Sequence, residues 1–442
     1  MPMLTIGQRL LTKDGSTVHV ERFLASGGQG EVYEVSSLGR KYALKWYFYP
    51  TTPSQVNQAE EQRKAFDSAG PFAQAAPDQR FLWPITLVED PKRRTFGYLM
   101  DLLPSKFQGL EKLVLGKMQP TPNFHILCKA AINLADSFRL LHAQGLCYKD
   151  INLGGPFMDP KTGDIVICDC DNVRYNKTPG NIIFVFFAAP ELINNTDICT
   201  RKTDWHSLAV LLFYMFVRHH PLDGKRQLEI NVFNEVAQRE FYGKEPIFIF
   251  DPQDTRNQAV RGFHDNALRN WNIYPNFLKR LFTRAFTVGL QNPDERVKEG
   301  EWIGAFSRLR DSLYYCSHCA SPNFFDFEAL DNGQHQGCWR CAQNSVLPMR
   351  LEIGDRRILC NHQAELYPHH LGNRLDFSSV VAKIAQHPHN PDKWGLQNTS
   401  NQEWECISSD GKSVFVAPGK SVPLKHGLTL RFGTVEGKLI SR

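Results

Sequence analysis

The chain has 442 residues, of which 42% are hydrophobic and 22% are charged. This composition is globular and excludes a wholly disordered, collagen-like or coiled-coil chain. Lys and Arg together number 51 and Asp and Glu 46, so the net charge is only +5. A nucleic-acid binder would usually concentrate more positive charge on one face, and we therefore expect no nucleic acid among the partners.

The apolar segments are too short for a membrane span. Residues 1–22 contain no apolar core behind a basic start, so no signal peptide is predicted. The longest apolar run, from Leu208 to Val217, is half the roughly 20 residues that a transmembrane helix needs. It is predicted to be a buried core helix. We expect a cytoplasmic protein with reduced thiols and no membrane association.

The first 312 residues change from strand patterns to helical patterns. Alternating segments between Gly or Ser turns predict strands over 17–23, 30–35, 41–47, 85–89 and 95–102. Apolar residues at helical spacing predict helices over 54–68, 124–144, 205–217, 275–286 and 299–314. This order predicts one α+β architecture, with a β-rich small lobe up to about residue 102 and a helical large lobe after it.

Two smaller segments follow the first one. Residues 313–345 contain four cysteines, and residues 346–442 combine short strand patterns with Gly, Asn and Asp turns. Regular turn spacing over a segment of this length predicts an all-β sandwich. We therefore predict three domains, with boundaries 1–312, 313–345 and 346–442.

A glycine-rich turn precedes a lysine on a predicted strand. Gly27, Gly28 and Gly30 form the turn, and Lys45 lies thirteen residues after Val32. Glycine lets a backbone approach a phosphate closely and direct N–H groups at it. A glycine turn in a hairpin and a solvated strand lysine are each ordinary features. Their combination at this spacing favours a nucleotide-phosphate site.

A lysine that neutralises nucleotide phosphates needs a carboxylate partner on the following helix. Glu60 and Glu61 both lie on the predicted helix over 54–68, and the spacing favours Glu61. The alternative is that both are ordinary solvated acids of an exposed helix face. The sequence leaves both interpretations open.

Two aspartates have positions suited to phosphoryl transfer. Asp150 follows the 124–144 helix after a turn at Gly145, and Asp169 comes nineteen residues later, directly after an apolar strand at 165–167. These positions resemble those of two aspartates of protein kinases, and the resemblance implies that Asp150 orients the attacking hydroxyl and accepts its proton and that Asp169 holds Mg²⁺.

In this order and spacing, the motifs resemble those of eukaryotic-type Ser/Thr protein kinases. Residues 189–191 resemble the end of the activation segment, and residues 204–209 resemble the start of a central large-lobe helix. Residues 292–296 resemble the segment whose arginine, here Arg296, pairs with Glu191. The resemblance covers the first domain and implies a bilobal kinase fold, ATP and Mg²⁺ as cofactors, and a protein substrate.

The same resemblance implies site residues. Lys45, Asp150 and Asp169 would be catalytic. The nucleotide would be bound by Ala25, Gly27, Gly28, Gly30, Val32, Ala43, Lys45, Glu61, Met100, Asn152 and Asp169.

Two positions depart from the family pattern. Gly155 stands where the family has a metal-binding Asn, and Asp171 stands where it has the Gly two residues after Asp169. Because residues i and i+2 of an extended chain point to the same side, Asp171 could supply the missing Mg²⁺ oxygen. Asn152 is a second candidate. Alternatively, Asp171 is a turn acid that accepts local N–H groups.

The departures keep a second class of function open. Ala25, Gly155 and Asp171 favour a pseudokinase scaffold or adaptor that binds nucleotide weakly and recruits partner proteins. Lys149 replaces the arginine that usually contacts a phosphorylated activation segment, and Thr178 is the only Thr or Ser in that segment. The retained catalytic residues favour an active Ser/Thr kinase.

Four cysteines form two closely spaced pairs. Cys316-x-x-Cys319 is followed, after eighteen residues, by Cys338-x-x-Cys341, which fits the spacing of Cys₄ zinc ribbons. Four thiolates fill a tetrahedral shell, so we predict a structural zinc ion. The alternative is a pair of redox motifs. The remaining seven cysteines are predicted to be ordinary thiols.

Residues 394–433 resemble the second half of a forkhead-associated (FHA) domain. That family binds phosphothreonine peptides through Gly-Arg and Ser-x-x-His. Residues 354–356 hold at best a displaced Gly-Arg, and residues 360–362 lack Ser-x-x-His. We therefore expect the fold without an intact recognition loop, with Trp394 and Trp404 in its core.

A kinase, a four-cysteine ribbon and an FHA-like tail in this order resemble the bacterial kinases of tellurite-resistance-linked triads. The segments 81–85, 220–224 and 394–396 carry this resemblance. It implies a role in bacterial signalling, with von Willebrand A proteins and metal-dependent phosphatases as partners.

Overall fold

A computed structural model describes residues 2–90, 95–177, 185–194, 198–332, 337–372 and 375–441. Thr178 lies outside the described residues. The chain forms two compact units. One comprises Met1–Pro122, Asn133–Phe263 and Thr283–Glu299, and the other comprises Asn123–Ile132, His264–Phe282 and Gly300–Arg442. The division into three domains at 312 and 345 stays a prediction.

Six strands near the N-terminus close into a barrel, with helix α1 (Pro53–Lys64) between the fourth and the fifth strand. They are β1 (Arg9–Thr12), β2 (Thr17–Ser26), β3 (Gly30–Ser37), β4 (Arg40–Tyr47), β5 (Thr86–Asp90) and β6 (Thr95–Met100). Around the ring their order is β1-β2-β3-β4-β6-β5. Val20, Tyr33, Leu44 and Trp46 fill the core of the barrel. The five strands predicted here are confirmed, and β1 is the additional strand that closes the ring against β5.

Helices dominate the chain between residues 110 and 311. They are α2 (Leu110–Val114), α3 (Phe124–Ala143), α4 (Pro190–Ile193), α5 (Arg201–Val217), α6 (Lys225–Leu228), α7 (Glu235–Gln238), α8 (Asp265–Ile273), α9 (Asn276–Ala285), α10 (Val288–Gln291) and α11 (Glu299–Asp311). Short strands lie between them: β7 (Gln108–Gly109), β8 (Leu146–Cys147), β9 (Pro156–Met158), β10 (Ile165–Ile167) and β11 (Arg174–Tyr175). They pair in two small sheets, β10-β9-β7 and β11-β8.

Helix α5 is the apolar segment that the sequence analysis assigned to the core. Its N-terminus is capped by Thr200, whose hydroxyl accepts from the amides of Lys202 and Thr203. Every residue from Leu208 to Val217 except Tyr214 is buried. Among the described residues, no helix combines the length and the apolar character required to cross a bilayer.

The second unit includes a small cysteine-containing segment and a β-rich tail. The segment has β12 (Leu313–Tyr315) paired with β13 (Pro322–Phe324), followed by α12 (Phe327–Asp331). The tail has β14 (Arg350–Ile353), β15 (Arg356–Leu359), β16 (Glu365–Leu366), β17 (Ala382–His387), β18 (Asn390–Asn398), β19 (Trp404–Ile407), β20 (Ser413–Val416), β21 (Ser421–Pro423), β22 (Thr429–Phe432) and β23 (Val435–Ile440).

The tail strands form two sheets, in the orders β15-β14-β23-β22-β19-β20 and β16-β17-β18-β21. Both sheets contribute to one apolar core, which includes Leu351, Leu396 and Leu430. This arrangement fits the predicted sandwich. Trp404 is buried in the core, but Trp394 is 37% exposed, so the prediction for Trp394 is wrong. Trp394 pairs with Gln386 at a register shift in β17, where the regular alternation of inward and outward side chains is broken.

Candidate active site

A cluster of apolar side chains packs on the barrel strands in the first unit. Val32, Ala43 and Met100, three of the predicted nucleotide residues, belong to one hydrophobic cluster. Val166 on β10 and Cys168 directly after it belong to the same cluster. Apolar contacts therefore join the barrel to β10 at these predicted nucleotide residues.

The glycine turn connects β2 and β3. Gly27 and Gly28 are exposed, and Gly28 has no atom within 4 Å of the place where a Cβ would lie. Gly30 is different, because a Cβ there would lie 2.2 Å from the carbonyl oxygen of Trp46. Gly30 is thus required for the close approach of β3 to β4, whereas Gly27 and Gly28 leave the tip open. Ala25, within β2, pairs with Val32 in the ladder.

Lys45 lies on β4 and contacts two carboxylates. Its Nζ is 3.0 Å from each carboxylate oxygen of Asp171 and 3.2 Å from Oδ1 of Asp169. Burial alone would lower the pKa of Lys45, but the charges of the two aspartates outweigh burial and raise it above its usual value. Lys45 therefore remains a fixed positive charge in the cleft.

The predicted pairing of Lys45 with Glu61 is wrong in this structure. Helix α1 begins at Pro53 behind a capping box made by Thr52, and it places Glu61 on its exposed face. The next residue of the helix, Gln62, is buried but carries no charge. No ion pair of Glu61 occurs in the described part of the chain, and the carboxylate that Lys45 needs comes instead from Asp171.

Asp169 and Asp171 differ sharply in their surroundings. Asp169 has a left-handed backbone (φ 53°, ψ 40°), and Cys170–Asn172 form a 3₁₀ turn directly after it. The chain is therefore not extended here, although both carboxylates still reach Nζ of Lys45. The side chain of Asp169 is 49% exposed, whereas that of Asp171 is 1% exposed.

Asp171 is fully engaged by protein donors. Beside its contacts with Lys45, Oδ2 accepts a hydrogen bond of 2.5 Å from the hydroxyl of Tyr47. Burial would raise the pKa of Asp171, but Lys45 and Tyr47 hold it below its ordinary value. In this arrangement Asp171 is the counter-charge of Lys45. This role differs from both roles considered from the sequence, a Mg²⁺ ligand and a turn acid.

A side chain at Gly155 would come into tight contact with Tyr148. A Cβ at this position would lie 3.0 Å from the hydroxyl oxygen of Tyr148, which is buried and donates to the carbonyl of Cys168. Tyr148 replaces the usual histidine of the catalytic loop, and its hydroxyl occupies the space beside residue 155. Gly155 and Tyr148 are therefore neighbours in the structure.

Asn152 orients Asp150. Its Nδ2 donates to the Asp150 carbonyl oxygen at 2.9 Å and to Oδ1 at 3.1 Å, while its Oδ1 accepts from the amide of Gly154 at 2.7 Å. Burial raises the pKa of Asp150 to about 7, with the Asn152 hydrogen bond opposing and the charges of Asp169 and Asp171 adding to the rise.

A buried network that the sequence analysis missed supports the catalytic loop. Asp204 accepts from the amides of Tyr148 and Lys149, at 2.6 and 3.0 Å. His142 lies between Asp204 and Glu299 and hydrogen-bonds to both, at 2.9 Å from Asp204. Only Asp204 belongs to a recognised motif, and no local pattern marks a helix-end histidine as its partner.

His142 predicts a pH dependence of stability. Burial alone would lower its pKa, but Asp204 and Glu299 raise it to about 9 from an ordinary value of 6.5. As the pH rises, the unfolded state loses the His142 proton before the folded state does. The protonated histidine therefore contributes its full stabilisation of the folded state below pH 6.5. We expect the free energy of unfolding to fall by about 3 kcal/mol as the pH rises from 6.5 to 9.

Denaturant titrations of the wild type and His142→Gln across this range would measure the effect. The gap between the two free energies of unfolding should shrink as the pH rises. A gap that stays constant from pH 6.5 to 9 would contradict the assignment of a proton to His142.

The predicted pairing of Glu191 with Arg296 is confirmed. The two guanidinium nitrogens Nη1 and Nη2 each contact one oxygen of Glu191 at 2.7 Å. Arg296 is buried and also donates to the carbonyls of Gly289 and Lys202. This buried, bidentate ion pair anchors residues 189–191, which resemble the end of the activation segment, within the first unit.

The four cysteines of the predicted ribbon converge in the second unit. All four sulfurs lie within 4.8 Å of one another, and the pairs Cys316–Cys341 and Cys319–Cys338 are 3.6 Å apart. A tetrahedral zinc site with Zn–S bonds of about 2.3 Å has sulfur–sulfur edges of about 3.8 Å. The group is therefore compatible with zinc. None of the eleven cysteines, all of them within the described ranges, forms a disulfide.

Both Cys-x-x-Cys segments form the same turn. Ala320 donates to the carbonyl of Cys316 and Ala342 to that of Cys338, at 2.9 and 2.8 Å. Both alanines have a left-handed backbone, with φ of 54° and 60°. Additional donors reach the sulfurs, including the side-chain amide of Asn323, 3.4 Å from Cys338. Repetition of one strained turn at both pairs favours metal binding over two independent thiol pairs.

Comparisons with known proteins agree with this site. The family model of the protein kinase domain matches residues 110–270. The protein kinase YegI of Escherichia coli O157:H7 is 24% identical over 329 residues, which cover 70% of this chain and 47% of that protein. The protein kinase gsk31 of Schizosaccharomyces pombe is 22% identical over 231 residues, which cover 50% of this chain and 58% of that protein. The chain thus spans about half the length of the curated relatives it matches.

Among solved structures, the ROP18 kinase domain in complex with AMP-PNP and sucrose aligns with a TM-score of 0.46 and 16% identity, covering 69% of this chain and 84% of that one. The part of the chain that matches the family model includes Asp150, Asp169 and Glu191, so residues 110–270 are similar to a protein kinase domain.

Proposed function

We propose that the chain is an ATP- and Mg²⁺-dependent protein kinase that phosphorylates serine or threonine hydroxyls. One observation carries the proposal: Lys45, ion-paired and buried, contacts Asp169, whose carboxylate is half exposed and which directly follows Cys168 of the apolar cluster. A fixed positive charge next to an accessible carboxylate is what a nucleoside triphosphate and its metal require.

Different residues carry out different parts of phosphoryl transfer. Lys45 neutralises the α- and β-phosphates, and the turn at Gly27 and Gly28 covers them. Asp150, oriented by Asn152, positions the attacking hydroxyl and receives its proton. Because little covalent chemistry falls to the protein, positioning and charge stabilisation supply the rate enhancement.

Asp169 would hold Mg²⁺, which when bound neutralises charge on the phosphates. The residues present fit such an ion. Gly155 offers no oxygen, and both carboxylate oxygens of Asp171 accept from Lys45. Mg²⁺ commonly keeps several waters and binds through one or two carboxylates together with substrate phosphates, so a single exposed carboxylate is sufficient.

The proposal is tested by transfer of labelled γ-phosphate from ATP to the chain itself. We expect Mg²⁺-dependent labelling of the wild type and a rate lower by about 10²- to 10³-fold in Asp169→Asn. A wild type that is stabilised by ATP but never labelled would overturn the kinase assignment in favour of a pseudokinase scaffold.

The second unit is proposed to serve structure and recruitment. The Cys₄ group would bind a structural zinc ion, and the sandwich would be FHA-like. Its resemblance to triad kinases supports von Willebrand A and metal-dependent phosphatase proteins as partners in bacterial cytoplasmic signalling. Neither sheet carries an intact phosphopeptide-recognition motif, so recruitment would use another surface.

A further inference from the structure

We propose that Asp171 is the positioning residue for Lys45, in the place of a carboxylate on the following helix. The inference rests on the proposed kinase function and deepens it. Asp171 contacts Lys45 through both oxygens at 3.0 Å, whereas Asp169 contacts it through one oxygen at 3.2 Å. The closer and more symmetric partner is therefore the buried aspartate.

The burial of the two aspartates assigns them different tasks. Asp171 is 1% exposed and Asp169 is 49% exposed, so only Asp169 is open to a metal from the cleft. A lysine held by Asp169 alone would compete with the metal for the same carboxylate. Asp171 removes this competition, because it neutralises Lys45 and leaves the outer carboxylate available.

Asp171 is itself fixed by a rigid strand. Tyr47 lies two residues after Lys45 on β4, so both side chains are on the same face of the barrel. The Tyr47 hydroxyl donates to Asp171, and its ring packs against Phe96 and Tyr98 with centroids 4.8 and 6.1 Å away. The lysine, the tyrosine and the carboxylate thus form a closed triangle of contacts.

The other end of the turn is also anchored. Arg174 donates to the backbone carbonyl of Asp171 at 2.7 Å and stabilises the 3₁₀ turn that carries it. Meanwhile Glu61 lies on the exposed face of α1. The position of Lys45 consequently depends on the loop that also carries the metal-binding aspartate, and not on the placement of α1.

A double-mutant cycle on the full chain tests this dependence. The dissociation constant of a non-hydrolysable ATP analogue with MgCl₂ is measured for the wild type, Lys45→Met, Asp171→Asn and the double variant. We expect each single variant to bind about tenfold more weakly, and the double variant to match Lys45→Met within about threefold, because Asp171 acts through Lys45. Additive losses would overturn the inference.

A matched change on the helix separates the two possible partners. Glu61→Gln makes the same carboxylate-to-amide change as Asp171→Asn, and we expect its kcat to stay within about twofold of the wild type while Asp171→Asn loses about 10- to 100-fold. The reverse ranking would overturn the inference. A merely structural role for Asp171 would not produce non-additivity with Lys45→Met.

Asp171→Asn removes the buried one of the two carboxylates that pair with Lys45, and the variant can fail to fold. In that case the double variant, which removes both charges, and Tyr47→Phe remain measurable. Tyr47→Phe should weaken analogue binding about threefold, and unchanged binding would contradict the triangle of contacts. A wild type that binds the analogue but transfers no phosphate would overturn only the kinase assignment. The double-mutant cycle measures analogue binding, so it would still test the role of Asp171.

Discussion

Removal of zinc is expected to unfold the segment from Leu313 to Ser345. The segment contains two short strands and one short helix, so its apolar core is small. Structural zinc contributes roughly 10–16 kcal/mol of apparent folding free energy in small domains of this kind. Purified chain should contain one zinc ion, and treatment with a strong chelator should release the ion and make the segment sensitive to protease.

Cysteine variants provide the controls for this experiment. Cys338→Ser, which removes one ligand, should lower the zinc content and reproduce the effect of the chelator. Cys406→Ser removes a buried thiol of the sandwich and should keep one zinc ion per chain. If Cys338→Ser and Cys406→Ser retained equal zinc, or if the wild type contained none, the zinc assignment would be wrong.

Asp150→Asn is expected to lower kcat by about 10²- to 10⁴-fold, which is the usual contribution of a general base. The amide keeps the size of the side chain and its neighbour Asn152, but it cannot accept the proton of the attacking hydroxyl. Because Asp150 serves the acceptor and not the nucleotide, the dissociation constant of an ATP analogue should stay within about twofold.

Rate measurements at saturating ATP and analogue-binding titrations check both parts of this expectation. Asp164→Asn makes the same change at a half-exposed acid after β9 and should leave both quantities unchanged. A kcat of Asp150→Asn within threefold of the wild type would exclude Asp150 as the base.

The sequence was informative wherever a motif and a regular element coincide. The strands around Lys45 and the long helices follow from periodicity, whereas the roles of Asp150 and Asp169 come from the motif resemblance and stay predictions. The pair of Glu191 and Arg296 was also predictable, although 105 residues separate the partners, because both lie in recognised motifs.

The partner of Lys45 was not predictable, because it depends on a backbone conformation. The left-handed residue at 169 and the turn after it bury Asp171 and leave Asp169 half exposed, while both carboxylates contact Lys45. Side-chain orientation in such a turn has no periodic signal. The same holds for the neighbourhood of Gly155, where the hydroxyl of Tyr148, seven residues earlier in the chain, lies close to the place of a side chain.

The closed barrel has a consequence for how this part of the chain meets other proteins. Each of its six strands is hydrogen-bonded on both sides, since β1 pairs with β5 as well as with β2. An open sheet would present unpaired backbone groups to which a foreign strand can add. Strand addition is not possible here, so a regulator that binds the small lobe must recognise side chains. For the same reason, edge-to-edge aggregation through these strands is prevented.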